Sequence, residues 1–508
     1  MSKTASDDPI HGNASAPKLG SALLWLAILV LVLGFAFQGT RALWSPDEGR
    51  YTNAALQMVD SGNYLVPTYS PDQANFSKPP VTYWTIAASV KTFGRNTWAI
   101  RAPYALAFVL TVLLLYAMGR RCIPDKPWLP GLIYGTALWP FLATNIVSTD
   151  VLLTFFEALA MLGFIRAAFP RTQSPGRLDI GLMWLGFGLA FLTKGPPGLL
   201  PLLGVIPFIV RRDGWRAMAR YFAPVGLAIF FISGLLWYAV VMLRYPWLTH
   251  YFFHREIYDR LFTPIQHRNS QWYGWIAVYL PVLTLGALPW WPALARGLRA
   301  VTRPDRWRQW WRQPSIKLFL LLWFLVPLAI FCLARSRLPL YVLPLFLPLS
   351  LMLALDLRAR IDLQATRQRI MLGFWVLALL VMKGGIGYFA HPAADNRLAA
   401  QQLNAASQGT AYGAVAFIED TGSSYAIEES TPWGIRLYLN KPVYGIAWKK
   451  PGAAEQPCRV LRARHAALFV VDNTIKTAAI SSALARCTGQ TAIRLGTWRH
   501  SYLERVQN

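Results

Sequence analysis

Charge is scarce in this 508-residue chain: 15% of its residues are Asp, Glu, Lys or Arg, against 55% hydrophobic and 14% aromatic. So little charge excludes one soluble domain of ordinary composition, because the apolar surface exceeds what a water-facing fold buries. Acidic residues are scarcer still, 24 against 50 basic ones, which leaves a formal charge of +26. In a soluble protein that imbalance would suggest a nucleic-acid partner. Here the basic residues gather between hydrophobic runs and read as topology signals, so no nucleic acid is expected. No small-x-small cleavage site precedes Arg41, and Asp7 and Asp8 dilute the basic segment before the first apolar run. Both features count against a cleaved signal peptide.

What is present is a series of long apolar runs. Residues 19–40 carry no charge, and about 22 helical residues at 1.5 Å each cross a hydrocarbon core of ~30 Å. Further runs fall near 102–119, 127–147, 151–169, 180–193, 197–210, 222–243, 272–294, 318–334, 338–355 and 370–390, about eleven in all. With the N-terminus inside, alternate loops are basic, as in Arg120, Arg121 and Lys126, the cluster from Arg296 to Lys317, and the group from Arg358 to Arg369. An odd number of crossings places the tail outside. The expected architecture is an α-helical polytopic membrane domain over 1–390, followed by a periplasmic α/β domain over 391–508, where short apolar stretches alternate with turns. Of four cysteines, Cys458 and Cys487 both fall in that outer domain, and an oxidising compartment favours a disulfide between them.

Nine basic residues fall on the outer side against the topology rule: Arg50, Lys78, Lys194, Arg244, Arg255, Arg260, Arg268, Arg335 and Arg337. Each taken alone reads as snorkelling to headgroups; together, across four outer segments, they equally suit an anionic ligand. The first outer loop, 41–101, is too long for a plain connection. Ser45, Pro46 and Glu48 form a capping-box signature for a helix ending at Gly62, with Arg50, Asn53, Gln57 and Asp60 on one face and Tyr51, Ala55 and Met58 on the other. That pattern predicts a helix lying in the membrane interface. Asp47 at its start either complements the helix dipole or accepts a proton at the membrane surface. Lys78, before Pro79 and Pro80, opens a second helix running to Gly94 and either snorkels or pairs with phosphate. Asp150 caps a span or shares the same outer site, with Glu157 on its face. His250 and His254 have zinc-ligand spacing but lack a clear third ligand. Tyr341, near Arg335 and Arg337, is either an aromatic-belt residue or a phosphate donor.

The motifs LWSPDEGRY at 43–51, FSKPPVTYW at 76–84, STD at 148–150, FLTKGP at 191–196 and SRLPLY at 336–341 stand in an order that resembles the bacterial aminoarabinose transferase family, relatives of the protein O-mannosyltransferases with the GT-C fold. The resemblance covers roughly the first 390 residues, and the acidic pair with the lysine-proline motif is its specific part. It implies transfer of a sugar, with inversion, from polyprenyl (undecaprenyl) phosphate to a lipid A-like or other periplasmic acceptor at the bacterial inner membrane. It also implies roles: Asp47 as base and Asp150 as second acid, with Lys78, Arg260, Tyr341, Arg50 and Arg337 on the donor phosphate. Ser77 stands where the family commonly has glutamate, which counts against a metal site built on that residue; a divalent metal is otherwise left open. The outer domain offers no motif for an acceptor. A transporter is the rival class, but the chain shows no clear internal repeat or matched pair of broken helices.

Overall fold

A computed structural model describes residues 19–507 except 72, 171–175, 264–267, 408 and 489–491, and omits the side chains of 260, 261, 300, 301, 488 and 507. Among the described residues, six helices are long and apolar enough to cross a membrane: Thr97–Cys122, Thr149–Ala168, Pro224–Arg244, Ile316–Leu333, Pro339–Leu357 and Thr366–Phe389. Other expected spans are shorter or broken. The first, α1 (Leu19–Phe35), has 17 residues. The run 127–147 divides at Ala137, whose backbone is extended, because Leu138 and Trp139 donate their N–H groups to Leu288 and Gly286 rather than continuing the helix. The run 272–294 stops at Gly286 and resumes at Trp291, beyond Pro289.

The segment 41–101 holds α2 (Asp47–Ser61), a hairpin of β1 (Thr68–Ser70) and β2 (Gln73–Ala74), and α3 (Val81–Phe93), followed by α4 (Thr97–Cys122). Two expectations fail here. Ser45 caps nothing: α2 follows Pro46 without a side-chain cap, and Glu48 turns away to buried arginines. Nor does α2 lie free at an interface. Tyr51, Ala55 and Met58 are buried against the membrane domain, and the polar face is covered by the chain's C-terminal part. Arg436 donates to Asn53 (3.1 Å), Gln57 (2.6 Å) and Asp60 (2.6 Å), and Gly49 meets Gly434 so closely that a Cβ there would stand 2.7 Å from a backbone nitrogen. The i, i+4, i+7 polar spacing of Asn53, Gln57 and Asp60 is therefore a docking stripe.

That C-terminal part is built on a five-stranded mixed sheet: β3 (Ala414–Glu419), β4 (Val443–Ala447), β5 (Ala466–Asp472), β6 (Ile493–Trp498) and β7 (Ser501–Gln507), in the order β4-β3-β5-β7-β6. β3 runs parallel to both β4 and β5, while β7 is antiparallel to its neighbours. Val415 and Phe417 enter one core with Trp433, and Ala414, Ala416 and Ile418 enter the other, so helices cover both faces. Tyr69 of β1 belongs to the first of these cores and stacks on Trp433, 5.0 Å between centroids. Loop and sheet thus share one hydrophobic core.

Cys458 and Cys487 form the expected disulfide, with Cα atoms 4.9 Å apart, between the helices Gln456–Arg464 and Thr477–Thr488. Closing 29 residues of chain restricts the unfolded state by on the order of 3 kcal/mol. Replacing both cysteines by serine is expected to lower amide-exchange protection of β5 and these two helices by about that amount while leaving the membrane helices unchanged. Parent-like protection would show that the bridge contributes no stability.

Candidate active site

The site begins with a buried carboxylate. Glu48 accepts from Arg41 Nη2 (2.7 Å), Arg101 Nη2 (3.0 Å), Trp44 N–H (2.8 Å) and Val147 N–H (3.1 Å). Its four donors belong to the end of the first span, to α4 and to the turn before Asp150. Burial pushes the Glu48 carboxyl upward, but the Arg101 and Arg41 guanidiniums overcome it and hold it at about 2. One side chain therefore fixes Asp47, its neighbour in α2, relative to Asp150, three residues beyond Val147.

Lys78 is fixed by a local turn. Asn75 Oδ1 accepts from the Ser77 N–H (3.0 Å) and hydroxyl (2.6 Å), and Asn75 Nδ2 donates to Tyr83 (3.0 Å). Where the family commonly has glutamate, Ser77 thus supports this turn. The ammonium donates to the Ser77 carbonyl at 2.9 Å and lies 3.7 Å from Glu256. On the far side, Ser148 caps the helix Thr149–Ala168 by accepting from Asp150 N–H, and the Asp150 carboxylate pairs with Lys194. Lys194 is the last residue of the helix Arg177–Lys194, and Gly195, at φ +75°, turns the chain there. Its Nζ sits 4.3 Å above the Tyr341 ring.

These groups surround a cavity of about 310 Å³, lined by Asp47, Arg50, Lys78, Asp150, Lys194 and Tyr341 together with Arg255, Arg268 and Glu428. A polar chain runs around its wall. Asp47 pairs with Arg50; Arg50 Nη1 reaches Glu429 (2.8 Å); the same Glu429 oxygen takes Arg268 Nη2 (3.2 Å); and Arg268 approaches the Tyr341 hydroxyl (3.5 Å). Tyr341 then leads through Lys194 to Asp150. The two acids singled out in the sequence are the two ends of this chain. Asp47 keeps 45% of its side chain exposed and Asp150 only 7%, so Asp47 is the end open to a reactant.

Five of the seven residues named from the sequence line the cavity: Asp47, Arg50, Lys78, Asp150 and Tyr341. Arg337 does not line it. Its guanidinium donates to the carbonyls of Asn269 (2.9 Å), Gln271 (2.7 Å) and Cys332 (3.0 Å), which pins the segment carrying Arg268. The Arg260 side chain lies outside the described residues; among the described residues, Arg268 approaches the Tyr341 hydroxyl. Glu429 and Tyr425, which reach Arg268 from the C-terminal part, carry no local signal in the sequence. Lys194 was visible as an outer lysine in its motif but not as the partner of Asp150. His250 and His254 stack at 5.0 Å, and among the described residues no three His, Cys, Asp or Glu side chains are grouped to hold a metal.

Residues 77–238 match the family model described as dolichyl-phosphate-mannose-protein mannosyltransferase. In fold, the chain is similar to ArnT from Cupriavidus metallidurans, solved bound to undecaprenyl phosphate, with TM-score 0.71 at 18% identity over 96% of this chain and 98% of that one. The oligosaccharyltransferase of Archaeoglobus fulgidus superposes with TM-score 0.52 at 12% identity, over 92% and 70%. The shared fold is of the GT-C type. Among curated relatives, an undecaprenyl phosphate-alpha-4-amino-4-deoxy-L-arabinose arabinosyl transferase of Enterobacter sp. (strain 638) is 31% identical over 68% of this chain and 62% of its own length. One from Sodalis glossinidius is 33% identical over 66% and 59%. The chain is thus a relative of the bacterial aminoarabinose transferases, as its motifs implied, and spans about three fifths of the length of these curated relatives.

Glu48→Gln keeps the shape but leaves two buried guanidiniums without their shared anion, a loss of about 3 to 5 kcal/mol. Thermal melting of purified variant protein checks this; a midpoint within about 2 °C of the parent would contradict it. The sign with pH follows from the depressed carboxyl. The stabilisation is complete above the ordinary glutamate value of about 4.3 and is lost as pH falls from there towards 2.

Proposed function

We propose that this chain is a multi-pass glycosyltransferase of the bacterial inner membrane that moves a sugar from undecaprenyl phosphate to a lipid A-like or other periplasmic acceptor, with inversion. The single observation that carries the reading is one cavity lined by an open carboxylate, Asp47, together with the cations Lys78 and Arg268 and the Tyr341 hydroxyl. Names of the curated relatives and the lipid bound by the Cupriavidus protein support the donor. The basic loops support an inside N-terminus, about eleven crossings, and a periplasmic unit over 391–508.

In the proposed reaction the acceptor hydroxyl attacks the anomeric carbon from the face opposite the phosphate. Asp47 takes its proton, and the carbon–oxygen bond to phosphate breaks with its electron pair leaving on the phosphate. Lys78, Arg268 and Tyr341 stabilise the charge that gathers there, and more strongly as the bond breaks. Arg50, tied to both Asp47 and Glu429, holds the base in place. Asp150 positions Lys194 over the Tyr341 ring.

The test is transfer of labelled sugar from undecaprenyl phosphate into a lipid extract by purified variants, with donor binding followed separately. Asp47→Asn is expected to lower turnover by about 10² to 10⁴ with donor binding retained, whereas Lys78→Ala weakens donor binding. Near-parent turnover by Asp47→Asn would overturn the assignment of the base. Label appearing in protein rather than lipid would replace the lipid acceptor with a polypeptide.

A further inference from the structure

A second cavity, of about 500 Å³, lies at the other end of a segment that lines the first. The segment Pro339–Leu357 shows the relation: Tyr341 near its start lines the first cavity, and Asp356 near its end lines the second. About 15 helical residues at 1.5 Å separate the two, more than 20 Å along the span. The second cavity is strongly basic. Arg296, Arg299, Arg303, Arg306, Lys317 and Arg360 line it with one carboxylate, Asp356, and that carboxylate is already bound by Arg296 at 2.7 and 2.8 Å. Among the described residues no carboxylate lies within 4.0 Å of the other five cations, although Asp305 and Asp362 belong to neighbouring turns.

Its floor is apolar: Leu321 and Met352 and Leu355, on the spans Ile316–Leu333 and Pro339–Leu357, lie beneath the cations. The wall is made by two short helices, Trp291–Val301 and Pro304–Arg312, the second carrying Trp307, Trp310 and Trp311 on the same turns as its arginines. Trp311 is 44% exposed and Leu298 57%. Exposed tryptophan beside arginine on a short amphipathic helix is the composition of an element lying at the membrane–water boundary. Loop arginines that served topology alone would need neither a concavity nor an apolar floor.

We propose that this cavity binds the headgroup of an anionic phospholipid, its phosphates among Arg299, Arg303, Arg306, Lys317 and Arg360 and its glycerol and upper acyl carbons on Leu321, Met352 and Leu355. Five cations without carboxylate partners match a diphosphate headgroup of the cardiolipin type better than a single phosphate. Basic pockets between membrane helices hold such lipids by the same combination of charge and apolar contact.

The probe is cardiolipin, titrated into the full-length protein in a neutral detergent and followed by native mass spectrometry, with phosphatidylcholine and inorganic pyrophosphate as parallel arms. One cardiolipin is expected to stay bound, and the variant Arg299→Gln/Arg303→Gln/Arg306→Gln should weaken it by roughly a factor of five per cation, about 100-fold together. Arg308→Gln/Arg312→Gln removes charge from the same helix at positions that do not line the cavity, and should leave binding within about threefold. Melting temperatures of both variants report that they fold. Equal loss in the two variants, equal retention of phosphatidylcholine, or pyrophosphate binding as tight as cardiolipin would each overturn the proposal.

Discussion

Glu48 is the constraint on which the rest of the site depends. Its carboxylate is closed in by two guanidiniums and two backbone N–H groups, so every lone pair direction is used and neither arginine is left without an anion. Burying such a group costs several kcal/mol, and good geometry at best offsets that cost. The gain is in position. Arg101 anchors it to a long apolar helix, Val147 to the turn before Asp150, and Trp44 to the segment after α1, so Asp47 and Asp150 are held at one site by a single interaction.

The second constraint is that the cavity is assembled from parts distant in sequence. Glu429 shares one oxygen between Arg50 and Arg268, which makes the C-terminal part a wall of the cavity rather than an appendage. Tyr69 in the core beside Trp433 and Arg436 on the polar stripe of α2 hold that wall in register. The cations and acids lining the cavity are largely matched with one another. Selectivity for a phosphate-bearing ligand then rests on where the cations point, and an incoming phosphate exchanges one anion partner for another without exposing a bare charge.

Six long apolar helices, against about eleven expected crossings, and the small sheet were legible because both follow from local pattern: uncharged runs between basic loops, and short alternating segments between turns. Asp47, Lys78 and Tyr341 were legible through motifs at helix entries. Glu48 was misread because Ser45 and Glu48 have the spacing of a capping box, while its real partners, Arg101 and Val147, lie 53 and 99 residues away. The polar stripe of α2 was read as facing water or headgroups for the same reason: its partner Arg436 is 376 residues distant from Asp60. Arg268 approaches Tyr341 because its segment is held by Arg337, which donates to the carbonyls of Asn269 and Gln271, a placement that no helical spacing in the sequence reveals.

The central claim is that the cavity between Asp47, Lys78 and Tyr341 receives the donor phosphate. The most direct measurement is an experimentally determined structure of the full-length protein in lipid nanodiscs with undecaprenyl phosphate. Phosphate density is expected within hydrogen-bond reach of Lys78 and of Arg268 or the Tyr341 hydroxyl. Lipid phosphate bound outside this cavity while the cavity holds only water would contradict it.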